Sequence, residues 1–290
     1  MNQIKAVLHE TKNYIDQKLQ KYLSIDEPLL KGLQESINYS LFSGGKRIRP
    51  IFCFVIGDIF NVSKEKLTSG ACALEMIHTA SLIMDDLPHM DDERTRRGKP
   101  ANHLVYGQDV ASLASVALLT RAYEVVLNDP ELSDDKKTRV ASKLAEVVGI
   151  NGMVGGQFVD LKYLDDSIEY PTLEYIHIHK TASLFVAAGE TAAIVGDASG
   201  DEIHAIRTYA GNLGFAFQIS DDLLDATGSE TEVGKSVKRD KGNFVSLFGV
   251  EKSKELMEKY TYDAIKAVKI FDGRNGKLLA LGEILLNRRS

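Results

Sequence analysis

Two aspartate-rich clusters carry the chemistry of this chain: Asp85-Asp86-Leu87-Pro88-His89-Met90-Asp91-Asp92 and Asp221-Asp222-Leu223-Leu224-Asp225. Each follows an apolar run, where unpaired carboxylates are costly to bury. Two such clusters, far apart in the chain, are expected to form facing walls that share Mg²⁺. Magnesium takes few carboxylates and completes its octahedron with water and substrate phosphate. A site for a diphosphate is the first expectation. The EF-hand pattern is excluded, because no glycine stands at loop position six in either cluster. Within the second cluster Asp221 and Asp225 are one helical turn apart, and Gln218 precedes Asp221 by three, so the three form one polar stripe. His78 and Ser81 lie below Asp85 on nearly the same face.

The cations complement these acids. Ser43-Gly44-Gly45-Lys46-Arg47-Ile48-Arg49-Pro50 places three positive charges on a glycine turn leading into a helix that is expected to start at Pro50. Helix N-termini bind anions through free N–H groups, and the cations add to that. Arg96-Arg97-Gly98-Lys99 follows the first cluster closely, and the planar fork of arginine suits phosphate oxygens. Lys180, Lys235 and Lys241 are candidates for further point charges. Gly234-Lys235-Ser236 is not a Walker A loop, since position 229 is Ser where Gly is required and no strand precedes it. His89, His103, His177, His179 and His204 do not pair at metal-ligand spacing and are read as structural or surface residues.

The elements that must position these groups are helices. Ile4, Leu8, Ile15, Leu19 and Leu23 form one stripe, and Leu30, Leu33, Ile37 and Leu41 a second, opened by Pro28. Pro50–Phe60 is apolar nearly all round, and Ala71–Met84, Gln108–Leu127, Asp134–Ile150, Thr172–Val195, Asp201–Asp225 and Ser253–Lys269 continue the series. No strand alternation, flexible linker or repeat interrupts them. The expectation is an all-α fold, a single large helical bundle spanning 1–290 as one domain. With 290 residues and 44% apolar content the chain can bury a large core. A net charge of −6 argues against nucleic acid as a partner. Cys53 and Cys72 sit in apolar runs and read as core thiols in a reducing compartment. No apolar stretch is expected to reach transmembrane length, and the N-terminus shows neither a signal-peptide core nor a transit pattern. A soluble, cytoplasmic protein is expected.

Taken in order, Ser43–Pro50 (SGGKRIRP), Glu75–Asp92 (EMIHTASLIMDDLPHMDD), Arg96–Pro100 (RRGKP), Gly152–Leu161 (GMVGGQFVDL), Lys180–Thr181, Phe217–Gly228 (FQISDDLLDATG) and Gly234–Lys235 resemble the trans-isoprenyl diphosphate synthases of the short-chain bacterial and plastid type. The resemblance covers nearly the whole chain. It implies an all-α bundle around a deep apolar cavity, a homodimer, and condensation of isopentenyl diphosphate with an allylic diphosphate. It implies that Asp85, Asp86, Asp91 and Asp221, with Asp222 and Asp225, bind three Mg²⁺ ions holding the allylic diphosphate. Arg96, Lys180, Gln218, Lys235 and Lys241 resemble the residues around that diphosphate. Lys46, Arg49, His78 and Arg97 resemble the isopentenyl diphosphate site. Thr181 and Gln218 match positions beside the developing cation.

Product length in such enzymes depends on the cavity floor below the first aspartate motif. The fifth residue before it, usually Tyr or Phe in farnesyl (C15) enzymes of bacterial type, is here Ala80, followed by Ser81, with Ile77 the next wall. A geranylgeranyl (C20) product is expected ahead of farnesyl. Three positions depart from the pattern: Ser115-Val116 stands for Gly-Asp, Met84 for His, and Gly242-Asn243-Phe244 follows Lys241 where a Thr-containing version is commoner. Two other classes fit part of the pattern. A non-catalytic partner subunit would carry degraded aspartate motifs, and a class I terpene cyclase would lack the Lys46/Arg49/His78 set.

Overall fold

The computed structural model describes residues 2–163, 168–227 and 243–286, and they are almost entirely helical. Thirteen α-helices are described: α1 (Asn2–Tyr22), α2 (Lys31–Leu41), α3 (Ile48–Ile59), α4 (Lys64–Asp85), α5 (Asn102–Tyr106), α6 (Gln108–Leu127), α7 (Asp134–Val148), α8 (Met153–Lys162), α9 (Tyr170–Ile176), α10 (Ser183–Val195), α11 (Gly200–Thr227), α12 (Phe244–Ala267) and α13 (Gly276–Leu286). The fold is all-α, as the periodicity indicates. Among the described residues the only strands are a two-residue ladder, β1 (Thr95–Arg96) with β2 (Lys99–Pro100).

Local chemistry sets the boundaries. Ser199 and Glu202 exchange hydrogen bonds, Ser199 N–H to Oε2 at 2.9 Å and Glu202 N–H to Oγ at 3.3 Å, a capping box that opens α11. Asn243 and Ser246 form the same device at the start of α12. The hairpin turn between β1 and β2 has Arg97 at φ 54° and Gly98 at φ 73°. Two left-handed central residues define the tight type I′ turn that matches strand twist, and glycine supplies the second without strain. Helix α3 starts at Ile48, two residues before Pro50, so the proline sits in the first turn where its missing N–H costs nothing.

Contacts group the chain into two compact units, one of Met1–Phe54 with Ser63–Ala141, the other of Val55–Val62 with Ser142–Ser290. In the first, α4 is buried almost throughout and packs against α1, α2 and α6. Ile15, Leu19 and Leu23 present the expected stripe of α1, while Leu30 is exposed and outside the core. In the second, α11 is the central element, packed on α10 and α12. Its lower half joins Phe215, Ile219 and Leu223 to Leu173, Ile176 and Phe244. Tyr209, fully buried, donates its hydroxyl to the carbonyl of Leu278 at 2.8 Å.

The segment read as one helix from Thr172 to Val195 is instead three pieces: α9, a π turn over His177–Ala182, and α10. Ser183 N–H reaches back five residues to the carbonyl of Ile178, the spacing of a π turn. Two helices, Lys64–Asp85 and Gln108–Leu127, are long and apolar enough by length and composition to cross a membrane, contrary to the sequence expectation that no stretch reaches that length. In the first, 78% of the apolar window is buried inside the protein, the signature of a core helix.

Candidate active site

In the first unit the acids and cations meet at the C-terminal end of α4. Asp85 is its last residue, and the chain turns back so that Asp91 N–H donates to the Asp85 carbonyl at 2.9 Å. This puts Asp85 and Asp91 on one rim. Asp86 points inward and is buried. The hairpin delivers Arg96 to it, with Nε 3.0 Å from Oδ1 and 3.2 Å from Oδ2 and a further bond from Nη2. Burial opposes the Arg96 charge, but the Asp86 carboxylate outweighs it and raises the guanidinium pKa.

The hairpin's next residue reaches the glycine turn. Arg97 Nη1 donates to the carbonyl of Gly44 at 2.6 Å. Gly44 and Gly45 have φ of 105° and 126°, a backbone that strains any other residue, and a Cβ on Gly45 would lie 2.9 Å from Arg97 Nη1 and push that guanidinium aside. His78, on α4, lies in the field of Arg49, Arg97, Arg96 and Arg47. Burial first, and these cations second, push its pKa well below the ordinary histidine value, so the imidazole is neutral and can donate a hydrogen bond. Burial together with Arg47 and Arg96 likewise lowers the pKa of Arg97. Cations crowded against their own repulsion mark a place that an anion stabilises.

In the second unit, Lys180 and Thr181 sit on the π turn. Lys180 Nζ donates to Asp160 Oδ2 of α8 at 2.6 Å, both side chains about one quarter exposed. Gly156 makes this approach possible, because a Cβ there would lie 2.5 Å from the Lys180 backbone nitrogen. On α11, Gln218 Nε2 donates to Asp222 Oδ1 at 3.0 Å, and the N–H of Phe244 donates to Asp222 Oδ2 at 3.1 Å. Asp222 thus caps the start of α12. Burial pushes its carboxyl pKa up to about 7, against those two hydrogen bonds. Asp221 and Asp225 stay partly exposed on the same stretch of helix.

The sequence groups Arg47 with Lys46 and Arg49 as phosphate-facing cations, but the structure turns it into the interior, where Asp16, Glu75 and the Leu41 carbonyl hold it. Asp160 was quoted only within a motif, and its pairing with Lys180 adds it to the site. The available signal was Gln157-x-x-Asp160, one polar face directly after a glycine pair. Ala80 and Ile77 are buried on α4, and Ser81 is partly exposed. Lys235 and Lys241, with Arg288 and Arg289, lie outside the described residues.

No group of three His, Cys, Asp or Glu side chains among the described residues stands ready to hold a metal ion alone. That suits a hard cation that needs only one or two carboxylates and takes its other ligands from phosphate and water. Within each unit the partly exposed carboxylates, Asp85 and Asp91 in the first and Asp221 and Asp225 in the second, offer oxygen atoms of the kind Mg²⁺ takes.

An all-α fold with acids at a helix end and a hairpin of arginines beside them has the makings of a protein that handles diphosphates. Residues 30–269 match the polyprenyl synthetase family model. The chain is 39% identical over 291 residues to a geranylgeranyl diphosphate synthase of Cyanophora paradoxa, covering 98% of this chain and 96% of that one. Among solved structures it resembles a geranyltransferase from Legionella pneumophila, with TM-score 0.87, 32% identity and coverage of 98% of this chain and 96% of that chain. It also resembles an FPP/GFPP synthase from Zymomonas mobilis in its apo form, with TM-score 0.88, 31% identity and coverage of 98% and 99%. The chain belongs to the polyprenyl synthetase family and is a short-chain trans-prenyltransferase. Enzymes of this family use isopentenyl and allylic diphosphates and are generally Mg²⁺-dependent.

Proposed function

We propose that this enzyme condenses isopentenyl diphosphate with an allylic diphosphate (dimethylallyl, geranyl or farnesyl) to an all-trans product, C20 ahead of C15. The observation that carries it is the hairpin that brings Arg96 to Asp86 and Arg97 to the glycine turn, beside Asp85 and Asp91. In this reading Lys46, Arg49, His78 and Arg97 bind the isopentenyl diphosphate. Arg96, Lys180, Gln218, Lys235 and Lys241 bind the allylic one. Asp85, Asp86, Asp91, Asp221, Asp222 and Asp225 are the candidates for holding Mg²⁺, in three ions as the family resemblance implies. Asp86 and Asp222 serve chiefly as anchors for Arg96 and for Phe244.

Bound Mg²⁺ supplies positive charge to the departing pyrophosphate. The protein cations do the same, and they are preorganised, so the allylic C1–O bond breaks with its electron pair leaving on pyrophosphate. The isopentenyl double bond supplies the electrons of the new C–C bond to the allylic carbon. A proton then leaves for the pyrophosphate, and the product double bond forms. The Thr181 hydroxyl and the Gln218 amide oxygen are the neutral dipoles assigned to the cation, and exclusion of water prevents its hydrolysis.

In the first unit Leu113 and Val116 are exposed on α6, and in the second Val154 and Phe158 are exposed on α8. Apolar side chains left in water in this way support a homodimer. Cys53 and Cys72 are free and buried, which suits a reducing, cytoplasmic location. The test is a Mg²⁺-dependent assay of the purified chain with isopentenyl diphosphate and each allylic diphosphate, products sized by chain length. A C20 product supports the reading in full, and C15 moves the floor to another side chain. Absence of condensation by folded protein supports a partner subunit instead.

A further inference from the structure

Arg47 is one residue after Lys46 and two before Arg49, yet its environment is the opposite of theirs. Its side chain is 1% exposed. Nε donates to Asp16 Oδ1 at 2.7 Å, Nη1 to Glu75 Oε1 at 2.7 Å, and Nη2 to the Leu41 carbonyl at 2.6 Å. The guanidinium therefore ties α1, α4 and the end of α2 to one point. Burial opposes its charge, but Glu75 and Asp16 raise its pKa and keep it protonated.

The backbone at Arg47 is left-handed, φ 52°, which a side chain adopts only when its surroundings force it. Its carbonyl accepts the N–H of Ile51 at 3.0 Å, so the same residue launches α3. Locking this side chain fixes both the rotation of the first turn of α3, which carries Arg49, and the direction of the chain at Lys46. The lock also meets the other half of the turn, since a Cβ on Gly45 would lie 3.0 Å from Arg47 Nη1 and 2.9 Å from Arg97 Nη1. One guanidinium holds the turn from the core and another from the hairpin. Glu75 is three residues before His78 on α4, so the lock is anchored on the helix that presents that histidine.

We propose that Arg47, clamped by Glu75 and Asp16, is a positioning residue that sets Lys46 and Arg49 for the isopentenyl diphosphate without touching it. The inference rests on the assignment of Lys46 and Arg49 to that substrate. Its prediction is a split between substrates. Asp16→Asn and Glu75→Gln keep size and shape while weakening the clamp. Each is expected to raise KM for isopentenyl diphosphate about tenfold, with KM for the allylic diphosphate and kcat within about twofold of the parent. Arg47→Lys, which keeps charge but lacks the planar fork that reaches three separated acceptors, is expected to show the same split more strongly.

The measurements are steady-state kinetics with each substrate varied in turn, thermal melts of every variant, and calorimetric titration with isopentenyl diphosphate alone. Asp16 is partly exposed, so Asp16→Asn serves if Glu75→Gln does not fold. Unchanged KM values in folded variants overturn the proposal, as does a parallel loss for both substrates, which is the mark of a merely structural role. If the parent protein neither binds isopentenyl diphosphate nor condenses it, the functional assignment fails first.

Discussion

Ser115 donates its hydroxyl to the carbonyl oxygen of Ala80 at 2.8 Å, a buried bond from α6 to α4. Ala80 is the position on which the product-length argument turns, and Ser115 is one of the two residues that depart from the Gly-Asp of relatives. The backbone at Ala80 is therefore held by a side chain from another helix. Ala111, Ala114 and Leu118 complete the buried face of α6 around it. Replacing Ala80 with Tyr should shorten the product, as read by chromatography of the dephosphorylated alcohols. An unchanged product profile would remove Ala80 from the floor.

Arg96 is the hairpin's contribution to the aspartate rim, and its guanidinium is held by Asp86 in a multiple hydrogen bond. Arg96→Gln keeps a donor but removes the charge and the fork. Loss of one such preorganised group typically costs about 10²–10³ in kcat, and that is the effect expected here. Pre-steady-state turnover would show the loss in the chemical step; an effect confined to KM would contradict it.

Gly156 admits the π turn to α8 at a distance no Cβ tolerates, 2.5 Å from the Lys180 nitrogen. Gly156→Ala should cost about 1–3 kcal/mol of stability through overpacking, and should lower kcat by displacing Lys180 from Asp160. Denaturant titration and kinetics on one preparation test both parts. Full activity in a destabilised variant would separate the packing from the lysine.

Two buried groups in the second unit titrate against each other. Burial holds the His177 pKa down to about 4 from 6.5, so its stabilising contribution is complete above pH 6.5 and is lost as pH falls toward 4. Asp222 behaves oppositely: raised by burial from 3.8 to about 7, it contributes most at acid pH and loses that contribution as pH rises toward 7. Each effect is on the order of 3 kcal/mol, and over this window they offset. Removing one should expose the other. In metal-free protein, His177→Phe should leave stability falling as pH rises, and Asp222→Asn should leave it falling as pH drops. Denaturant midpoints across that range decide, and parallel profiles in both variants would refute the pairing.

Chelation should abolish condensation while leaving the melting temperature of the substrate-free protein nearly unchanged. No described carboxylate cluster depends on an ion to satisfy it, since Asp86 and Asp222 are already paired within the protein. A large fall in melting temperature with chelator would show an ion resident in the free enzyme.

Much of this was legible in the chain. Helical periodicity shows the all-α fold because apolar residues at turn spacing report burial directly; α6 lies where the pattern puts it, while α4 starts at Lys64, ahead of the Ala71 read from the pattern. The aspartate clusters and the arginine hairpin are legible because their residue types have few other uses at apolar helix ends. Arg47 was not, since nothing in Lys-Arg-Ile-Arg says which cation a left-handed backbone will turn inward. The pairing of Asp160 with Lys180 was equally hidden, because it joins different helices through a glycine contact. Asp222 reads as a third metal carboxylate, and only its distance to Phe244 shows it capping a helix.

The π turn at His177–Ala182 has a consequence for how this stretch tolerates change in length. A π turn holds one residue more than an α-helix accommodates in the same rise. Deleting a single residue there, such as exposed Ile178, would let the backbone relax into continuous α-helix. Because the extra residue is absorbed within the same rise, α9 and α10 would keep their relative phase, and only the residues of the turn itself would be displaced. Lys180 and Thr181 are kept in place by a miscount in the winding, so here the number of residues is as constrained as their identity.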